Sequence, residues 1–254
     1  MTSTVREYTT ISHPEPNTRI WHEVTGDGPP TVLLHGAFAG ASSWGAQVPA
    51  FVDDDRRVYV PERHGHGRSP DVTAEFHYVD MALETIVYLD EIVGAPADIV
   101  GWSDGAVVGA IVALRRPDLV RRLVLIGQYF NSSGRASGGI LDELDSADSD
   151  LMEFFRAAYA EESPDGAEHF SIVFDKTMAM IGSEPEIPIE DLGAIAVPTL
   201  VLQGDRDEVT LDHSREVVDA IDGARLAVIP GTHLIPLEAP IAVNSVILQF
   251  LDAP

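Results

Sequence analysis

Ser103 has the sequence setting that most directly suggests chemistry, because glycines lie two positions away on each side, in Gly101-Trp102-Ser103-Asp104-Gly105. An apolar run precedes this stretch and a small-residue helical pattern follows it, which places the serine between a predicted strand and a predicted helix. A serine at such a sharp turn has a strained backbone, and side chains at positions 101 and 105 would collide with the neighbouring strand and helix. Its hydroxyl would stand exposed above the sheet, over the amides that begin the helix. The pattern therefore favours a nucleophilic serine.

A serine hydroxyl is a weak nucleophile, so it needs a base within hydrogen-bond reach and a carboxylate that orients the base. In an open parallel sheet, catalytic groups lie just past the carboxyl ends of the strands. His233 is the one histidine of the sequence that follows the last predicted strand, and the strand before it is followed by Asp205, Asp207 and Glu208. The chain order therefore predicts a serine, an acid and a histidine that act together.

Five segments together resemble the α/β-hydrolase superfamily, and the resemblance covers nearly the whole chain. They are His35-Gly36, Gly65-His66-Gly67-Arg68-Ser69, the stretch around Ser103, Gly204-Asp205-Arg206-Asp207 and Gly231-Thr232-His233. The resemblance implies an α/β-hydrolase fold, with a mostly parallel eight-stranded sheet, helices on both faces and a small helical lid. It also implies acyl transfer that uses neither a metal nor a cofactor.

The acid of the predicted triad has three candidates. In the family, the acid after the late strand usually sits three residues beyond the glycine, which is Asp207 here. Asp205 reads better as an exposed loop acid or turn former, and Glu208 is the third candidate. Some relatives carry the acid after the sixth strand instead, but residues 127–131 read Gly-Gln-Tyr-Phe-Asn without a carboxylate. That absence supports Asp207.

The oxyanion that forms during acyl transfer needs backbone N–H donors, each of which stabilises the transition state by on the order of 3 kcal/mol. By resemblance these donors are the amides of Ala37 and Asp104, with Phe38 as the alternative to Ala37. We expect Phe38, Trp102, Asp104 and Tyr129 to bind the substrate. The loop histidines His35, His64 and His66 are expected to be structural.

Asp104 has two interpretations. An acid in the first turn of a helix complements the helix dipole and needs no substrate. However, a carboxylate about 6 Å from a developing oxyanion would oppose it by roughly 3 kcal/mol at an effective dielectric of 20. A substrate ammonium held between the two would reverse that disadvantage. Residues 101–105 are similar to the same motif in biphenyl-hydrolase-like proteins, the valacyclovir hydrolases, whose acid after the serine binds the α-amino group of amino-acid esters.

The composition excludes several classes of partner and chemistry. The chain has 41 acidic and 16 basic residues and a net charge of -25, so its surface repels nucleic acid and anionic lipid. It has no cysteine, which excludes disulfides, cysteine-ligated metals and thiol catalysis. Residues 1–10 are polar and show no signal-peptide pattern, and no apolar run approaches the length of a membrane span. We expect a soluble, cytoplasmic protein.

Strands that alternate with helices predict a largely parallel sheet with right-handed crossovers. Two of the helices in this alternation are expected near residues 42–52 and 78–93. The alternation of strands and helices stops at residues 128–192, an acidic stretch in which helical segments are expected at 141–144, 151–159 and 168–180. We interpret 128–192 as a helical lid inserted into a core domain formed by residues 1–127 and 193–254.

The sequence thus predicts a serine hydrolase that acts on a carboxylic ester by acyl transfer through Ser103, His233 and Asp207. An α-aminoacyl ester is the preferred substrate if Asp104 binds a cation. A C–C bond hydrolase, a lactonase or a cofactor-free perhydrolase remains the alternative, because the same scaffold hosts all of them. A non-catalytic protein that binds a small ligand is the alternative from another class. The natural substrate and the oligomeric state are left open.

Overall fold

The computed structural model describes residues 3–139, 144 and 150–253. The strands are β1 Thr4–Ile11, β2 Thr18–Thr25, β3 Pro30–Leu34, β4 Arg57–Pro61, β5 Ala97–Trp102, β6 Val120–Ile126, β7 Thr199–Gly204 and β8 Arg225–Ile229. The helices are α1 Gln47–Asp53, α2 Tyr78–Tyr88, α3 Asp104–Arg115, α4 Asp150–Glu162, α5 Phe170–Ser183, α6 Leu211–Ala220, α7 Ile235–Glu238 and α8 Pro240–Leu251.

The strands form one sheet in the order β1-β2-β4-β3-β5-β6-β7-β8. The pairs β1–β2 and β2–β4 are antiparallel, and every later pair, from β4–β3 to β7–β8, is parallel. This arrangement confirms the predicted mostly parallel sheet of eight strands. It also brings the carboxyl ends of β3, β5, β6, β7 and β8 to one edge, where the predicted site residues begin.

The central strands are mostly apolar because both faces of the sheet are covered. Successive side chains of a strand point to opposite faces, so Ile99 of β5 packs in one core cluster and Val100 packs in the other. The first cluster includes residues of α2, α3 and α6, and the second includes residues of α1 and α8. Helices therefore lie on both faces, as predicted.

Two predicted helices differ from the structure at identifiable residues. The helix expected at 42–52 is a 3₁₀ turn, Ala41–Trp44, followed by α1. Pro49 has no N–H to donate to the turn before it, which explains the interruption. The helix expected at 78–93 changes at Leu89–Val93 into a π-helical turn that ends at Gly94, with φ 68°.

Helices α4 and α5 lie in the chain between β6 and β7, where the helical lid is predicted. The helix expected at 141–144 falls, apart from Leu144, outside the described residues. Ion pairs join this segment to the loop after β4, namely Arg68 to Glu162 at 2.6 Å and Asp71 to Lys176 at 2.9 Å. The division into a core domain and a lid at residues 128 and 192 stays a prediction.

Across the described ranges, the helices are all too short or too polar to cross a membrane.

Candidate active site

Ser103 lies at the turn from β5 into α3 and has backbone angles of φ 53° and ψ −121°. The two flanking glycines are sterically required. A Cβ atom at Gly101 would lie 2.2 Å from the carbonyl oxygen of Gly105, and one at Gly105 would lie 2.1 Å from the carbonyl oxygen of Leu34. Any side chain at either position would therefore force β5, α3 or β3 apart. The strained serine is held by its surroundings, as the sequence pattern predicts.

A hydrogen-bond chain links Ser103, His233 and Asp207. The distance from His233 Nε2 to Ser103 Oγ is 3.0 Å, and that from His233 Nδ1 to Asp207 Oδ1 is 2.9 Å. The Asp207 side chain has no exposed surface, and its Oδ1 also accepts a hydrogen bond from the amide of Val209. Burial alone would lower the pKa of His233, but the hydrogen bond and charge of Asp207, together with the charges of Glu208 and Asp104, raise that pKa overall. The arrangement suits a general base that becomes cationic next to a fixed carboxylate.

The two other candidate acids lie elsewhere. The side chain of Asp205 is 53% exposed, and its Oδ1 accepts a hydrogen bond from the amide of Gly231, so it ties the β7 loop to the β8 loop. Glu208 lines the cavity beside Ser103, and its charge raises the pKa of His233 without a hydrogen bond to that ring. Of the three acids, the structure brings Asp207 to the imidazole.

Trp102, which is also predicted to bind the substrate, contacts both the cavity and the loop that carries His233. It lines the cavity but is only 5% exposed, and its indole N–H donates to the carbonyl oxygen of His233 at 2.9 Å. The indole and imidazole ring centres are 6.2 Å apart. Its main contacts therefore hold the loop that carries His233.

The loop after β3 lies alongside the serine. A Cβ atom at Gly36 would be 3.2 Å from Ser103 Cβ, so a side chain at this position would crowd the serine. Ala37 and Phe38 both line the cavity, and Phe38 has a φ of 56°. The amide of Asp104 is the first of α3 and has no partner within the helix. Ala37, Phe38 and Asp104 all line the cavity that Ser103 also lines, and their roles as oxyanion donors stay a prediction.

Asp104 is 3% exposed and is one of the residues that line the cavity. Its Oδ1 accepts a hydrogen bond from the Tyr78 hydroxyl at 2.6 Å, while Oδ2 has no hydrogen-bond partner among the described residues. Burial raises the pKa of Asp104, and the charge of Arg63 opposes that rise. Asp104 is therefore a buried carboxylate beside the serine, with one of its two oxygens hydrogen-bonded.

The cavity beside Ser103 has a volume of about 160 Å³ and is predominantly apolar. Phe38 packs against residues of α4 and α5, with ring centres 5.4 Å from Phe155 and 5.4 Å from Phe174. Tyr129 also lines the cavity, and burial raises its pKa to about 12, so its hydroxyl stays protonated. Phe38, Asp104 and Tyr129, predicted from the sequence to bind the substrate, therefore border the same space.

The three loop histidines have structural partners. His35 is buried and bonds Gly36, His64 forms an ion pair with Glu84, and His66 bonds the carbonyl oxygen of His64. No cluster of three or more His, Cys, Asp or Glu side chains within the described ranges could hold a metal ion.

Sequence reasoning missed three residues that surround the triad: Arg63, Tyr78 and Gly127. Gly127 follows β6, and its signal was present in the sequence, since a glycine directly after a strand often marks a close backbone approach. Arg63 and Tyr78 lie in and after the loop that follows β4 and gave no such signal. Their roles depend on the loop's path beneath the serine.

Known proteins resemble this chain in sequence. Residues 31–246 match the model of the Alpha/beta hydrolase family. The (E)-2-((N-methylformamido)methylene)succinate hydrolase of Acinetobacter baylyi is 24% identical over 248 residues, covering 89% of this chain and 92% of that protein. The pyrrolizixenacetamide deacetylase of Xenorhabdus hominickii is 32% identical over 110 residues, which span 43% of this chain and 41% of the deacetylase.

A solved structure shows the same fold. The 2-hydroxy-6-oxo-6-phenylhexa-2,4-dienoate hydrolase of Rhodococcus sp. strain RHA1 superposes with a TM-score of 0.79 over 100% of both chains, at 22% identity. At that identity the likeness shows the fold alone.

Proposed function

Because this chain belongs to the α/β hydrolase family, we propose that it is a serine hydrolase that cleaves a carboxylic ester by acyl transfer. The observation that carries the proposal is the continuous hydrogen-bond chain from Ser103 Oγ through His233 to Asp207. A serine nucleophile requires a base in this position and an acid in that one. A protein that only binds a ligand does not need this series of hydrogen bonds.

The reaction runs in two stages. Ser103 Oγ attacks the ester carbonyl while its proton passes to His233 Nε2, and the tetrahedral intermediate collapses as the alkoxide takes that proton and leaves as the alcohol. Water then attacks the acyl-enzyme, gives its proton to His233, and releases the acid as Ser103 regains a proton. Asp207 keeps the proton on Nδ1 and stabilises the imidazolium in both stages. The amides of Ala37 and Asp104 bind the oxyanion, each worth on the order of 3 kcal/mol.

The cavity supports an apolar group on the substrate. A volume of about 160 Å³ lined by aromatic and aliphatic side chains is close to the roughly 150 Å³ apolar cavity that binds benzene in an engineered protein. Phe38, Phe155 and Phe170 supply much of that lining. We therefore expect esters with a ring-sized apolar acyl or alcohol group to be better substrates than acetate esters of short alcohols.

A fluorophosphonate probe and a substrate panel test the proposal. The probe should label Ser103 in the wild type and leave Ser103→Ala unlabelled, whereas Ser43→Ala, which removes another cavity serine, should label normally. The panel contains esters, lactones and substrates for C–C bond cleavage, and a separate assay measures peracid formation. Turnover of lactones or C–C substrates above all esters would replace the ester with one of those alternatives. Labelling or turnover that survives Ser103→Ala would show that Ser103 is not the nucleophile, and a wild type without labelling or turnover would favour the non-catalytic ligand-binding protein.

An α-aminoacyl ester is a second, narrower candidate substrate, and it has one specific observation in its favour. Asp104 lines the cavity, and its buried Oδ2 has no hydrogen-bond partner in the described part of the chain. An ammonium group next to the scissile carbonyl could pair with that oxygen. The charge of Arg63 already compensates part of the carboxylate, so this preference needs its own test.

A further inference from the structure

Arg63 is a buried cation that donates hydrogen bonds to backbone carbonyls. It is 2% exposed, and within the described residues its guanidinium lies within 4.0 Å of no carboxylate. Instead Nη1 donates to the carbonyl oxygen of His35 at 2.7 Å, and Nη2 donates to that of Gly36 at 3.2 Å. Burying a guanidinium without a directly bonded acid is costly, so this placement calls for a reason.

His35 donates a further hydrogen bond to the carbonyl oxygen of Gly36. Its Nε2 accepts a hydrogen bond from the amide of Arg63 at 3.2 Å, which leaves the proton on Nδ1. That Nδ1–H donates to the carbonyl oxygen of Gly36 at 2.8 Å. Burial, Arg63 and His66 lower the pKa of His35 well below its usual value, so the ring is neutral and keeps this tautomer. The carbonyl of Gly36 therefore accepts two hydrogen bonds, one of them from a cation.

The peptide that joins Gly36 to Ala37 links the orientation of the Gly36 carbonyl to the direction of the Ala37 N–H. A trans peptide is planar, and its C=O and N–H point in opposite directions. Fixing the Gly36 carbonyl on the side of Arg63 therefore aims the Ala37 N–H to the opposite side. Ser103 lies next to this peptide, since a Cβ at Gly36 would be 3.2 Å from Ser103 Cβ.

We propose that Arg63 is a positioning residue of the oxyanion site, which orients and polarises the Gly36–Ala37 peptide so that the Ala37 amide donates to the oxyanion. The inference depends on the proposed serine hydrolase activity, and it specifies how one donor of that activity is set. A charge-assisted hydrogen bond on the carbonyl makes the N–H of the same peptide a stronger donor.

The charge of Arg63 has a second effect in the same place. Arg63 and Asp104 each shift the pKa of the other towards its charged form. A buried carboxylate next to the oxyanion would otherwise oppose the developing negative charge. With Arg63 present the chain supplies its own compensating cation, and a neutral ester does not meet an uncompensated anion.

Two substitutions and one control separate this role from general packing. Arg63→Met keeps the length of the side chain and removes the charge and the donors, whereas Arg63→Lys keeps the charge and loses the planar fork. Arg56→Met is the matched control, since Arg56 is 5% exposed but binds Asp98 and Asp252, away from the serine. Thermal unfolding of all three variants measures the cost of losing a buried guanidinium.

The expected result is a loss in kcat at nearly constant KM. Removing one oxyanion donor costs about 10²–10³-fold, so a residue that acts through the donor should cost less, about 30- to 100-fold for Arg63→Met. Arg63→Lys should lose about 5- to 10-fold, because an ammonium binds one carbonyl less rigidly than the fork does. Arg56→Met should keep its kcat even where its melting temperature falls.

A transition-state analogue supplies the readout that packing alone would not move. A trifluoromethyl ketone analogue of the best ester forms an anionic adduct with the serine, whereas the alcohol product binds without one. In the Arg63 variants the Ki of the ketone should rise by the same factor as kcat/KM falls, and the Ki of the alcohol should stay constant. Equal weakening of both ligands, or a folded Arg63→Met with kcat within about twofold of wild type, would overturn the inference.

The two proposals fail differently. If the wild type is not labelled at Ser103 by the fluorophosphonate, the hydrolase proposal fails first. If the wild type is labelled and active and the Arg63 variants match it, only the role of Arg63 fails. Should Arg63→Met not fold, Arg63→Lys decides: a wild-type kcat and ketone Ki in that variant would overturn the inference.

Discussion

The carboxylate of Asp207 packs directly against the backbone of Gly127. A Cβ atom at position 127 would lie 2.9 Å from Asp207 Oδ2 and 3.1 Å from His233 Nδ1. Gly127 also has a φ of 57°, and its amide donates to the carbonyl oxygen of Leu202. The backbone just after β6 therefore packs against both the acid and the histidine where they form their hydrogen bond.

Gly127→Ala should reduce activity much more than stability. The added methyl meets the end of the Asp207 side chain, which can move aside only by leaving its place against His233. Gly94→Ala is the matched control, because Gly94 has a φ of 68° and open space around the missing Cβ. Both variants should lose roughly 1–2 kcal/mol of unfolding free energy to the left-handed backbone, measured by urea unfolding. Only Gly127→Ala should also lose kcat, and equal kcat in the two variants would contradict this prediction.

Asp207→Asn should be the damaging substitution among the loop acids after β7. An amide in place of the carboxylate favours the wrong imidazole tautomer, and such a change costs up to ~10⁴-fold in kcat in serine proteases. Asp205→Asn should stay close to wild type, since the amide oxygen can still accept from the Gly231 N–H. Steady-state kinetics on one ester compares the two. If Asp205→Asn is the crippled variant, the assignment of the acid is wrong.

The pH dependence should report His233. The ring must be neutral to accept the serine proton, so kcat/KM falls as the pH drops through its pKa. Burial lowers that pKa, but the hydrogen bond and charge of Asp207, followed by the charges of Glu208 and Asp104, raise it overall. Glu208→Gln removes one of the raising charges, so the acidic limb of kcat/KM should move to lower pH while the plateau stays within about twofold.

The exposed acid Asp212 supplies the control for that titration. Asp212→Asn should leave the limb where it is, because its carboxylate pairs with Arg215 on the surface of α6. A limb that does not move in Glu208→Gln, or a collapse of its plateau, would show that Glu208 does not act on His233 through charge.

Asp104 should select for a cation if its free oxygen binds the substrate. The value of kcat/KM for an α-aminoacyl ester should then exceed that for the des-amino analogue, and Asp104→Asn should lower only the first. A pure helix-dipole role predicts a stability loss of about 0.3–1 kcal/mol and equal kinetic effects on both esters. Tyr78→Phe is the control that removes the hydrogen bond to Oδ1 and keeps the charge. Equal losses on the two esters in Asp104→Asn would end the cation hypothesis.

The sequence alone predicted the fold and the setting of Ser103 because both depend on local steric rules. Residues 97–105 contain the buried strand, the two obligatory glycines and the helix start within nine positions, so their geometry follows from neighbours in the chain. The alternation of strands and helices then fixed which loops share one edge of the sheet. Those rules brought forward Ser103, His233 and the acids after β7 as candidates, and the resemblance to the α/β-hydrolases singled out Asp207. The catalytic roles of all three residues stay predictions.

Tertiary structure decided what depends on contacts between distant segments. No spacing rule shows that Trp102 holds the carbonyl of His233, or that Gly127 underlies Asp207, because each pair is brought together only when separate strands align. Arg63 is the clearest case. In the sequence it is one cation of a polar loop, and only the folded path of that loop beneath Gly36 places its guanidinium on the peptide next to the serine. Hydrogen bonds act over about 3 Å, a scale that sequence spacing does not resolve for residues 27 positions apart.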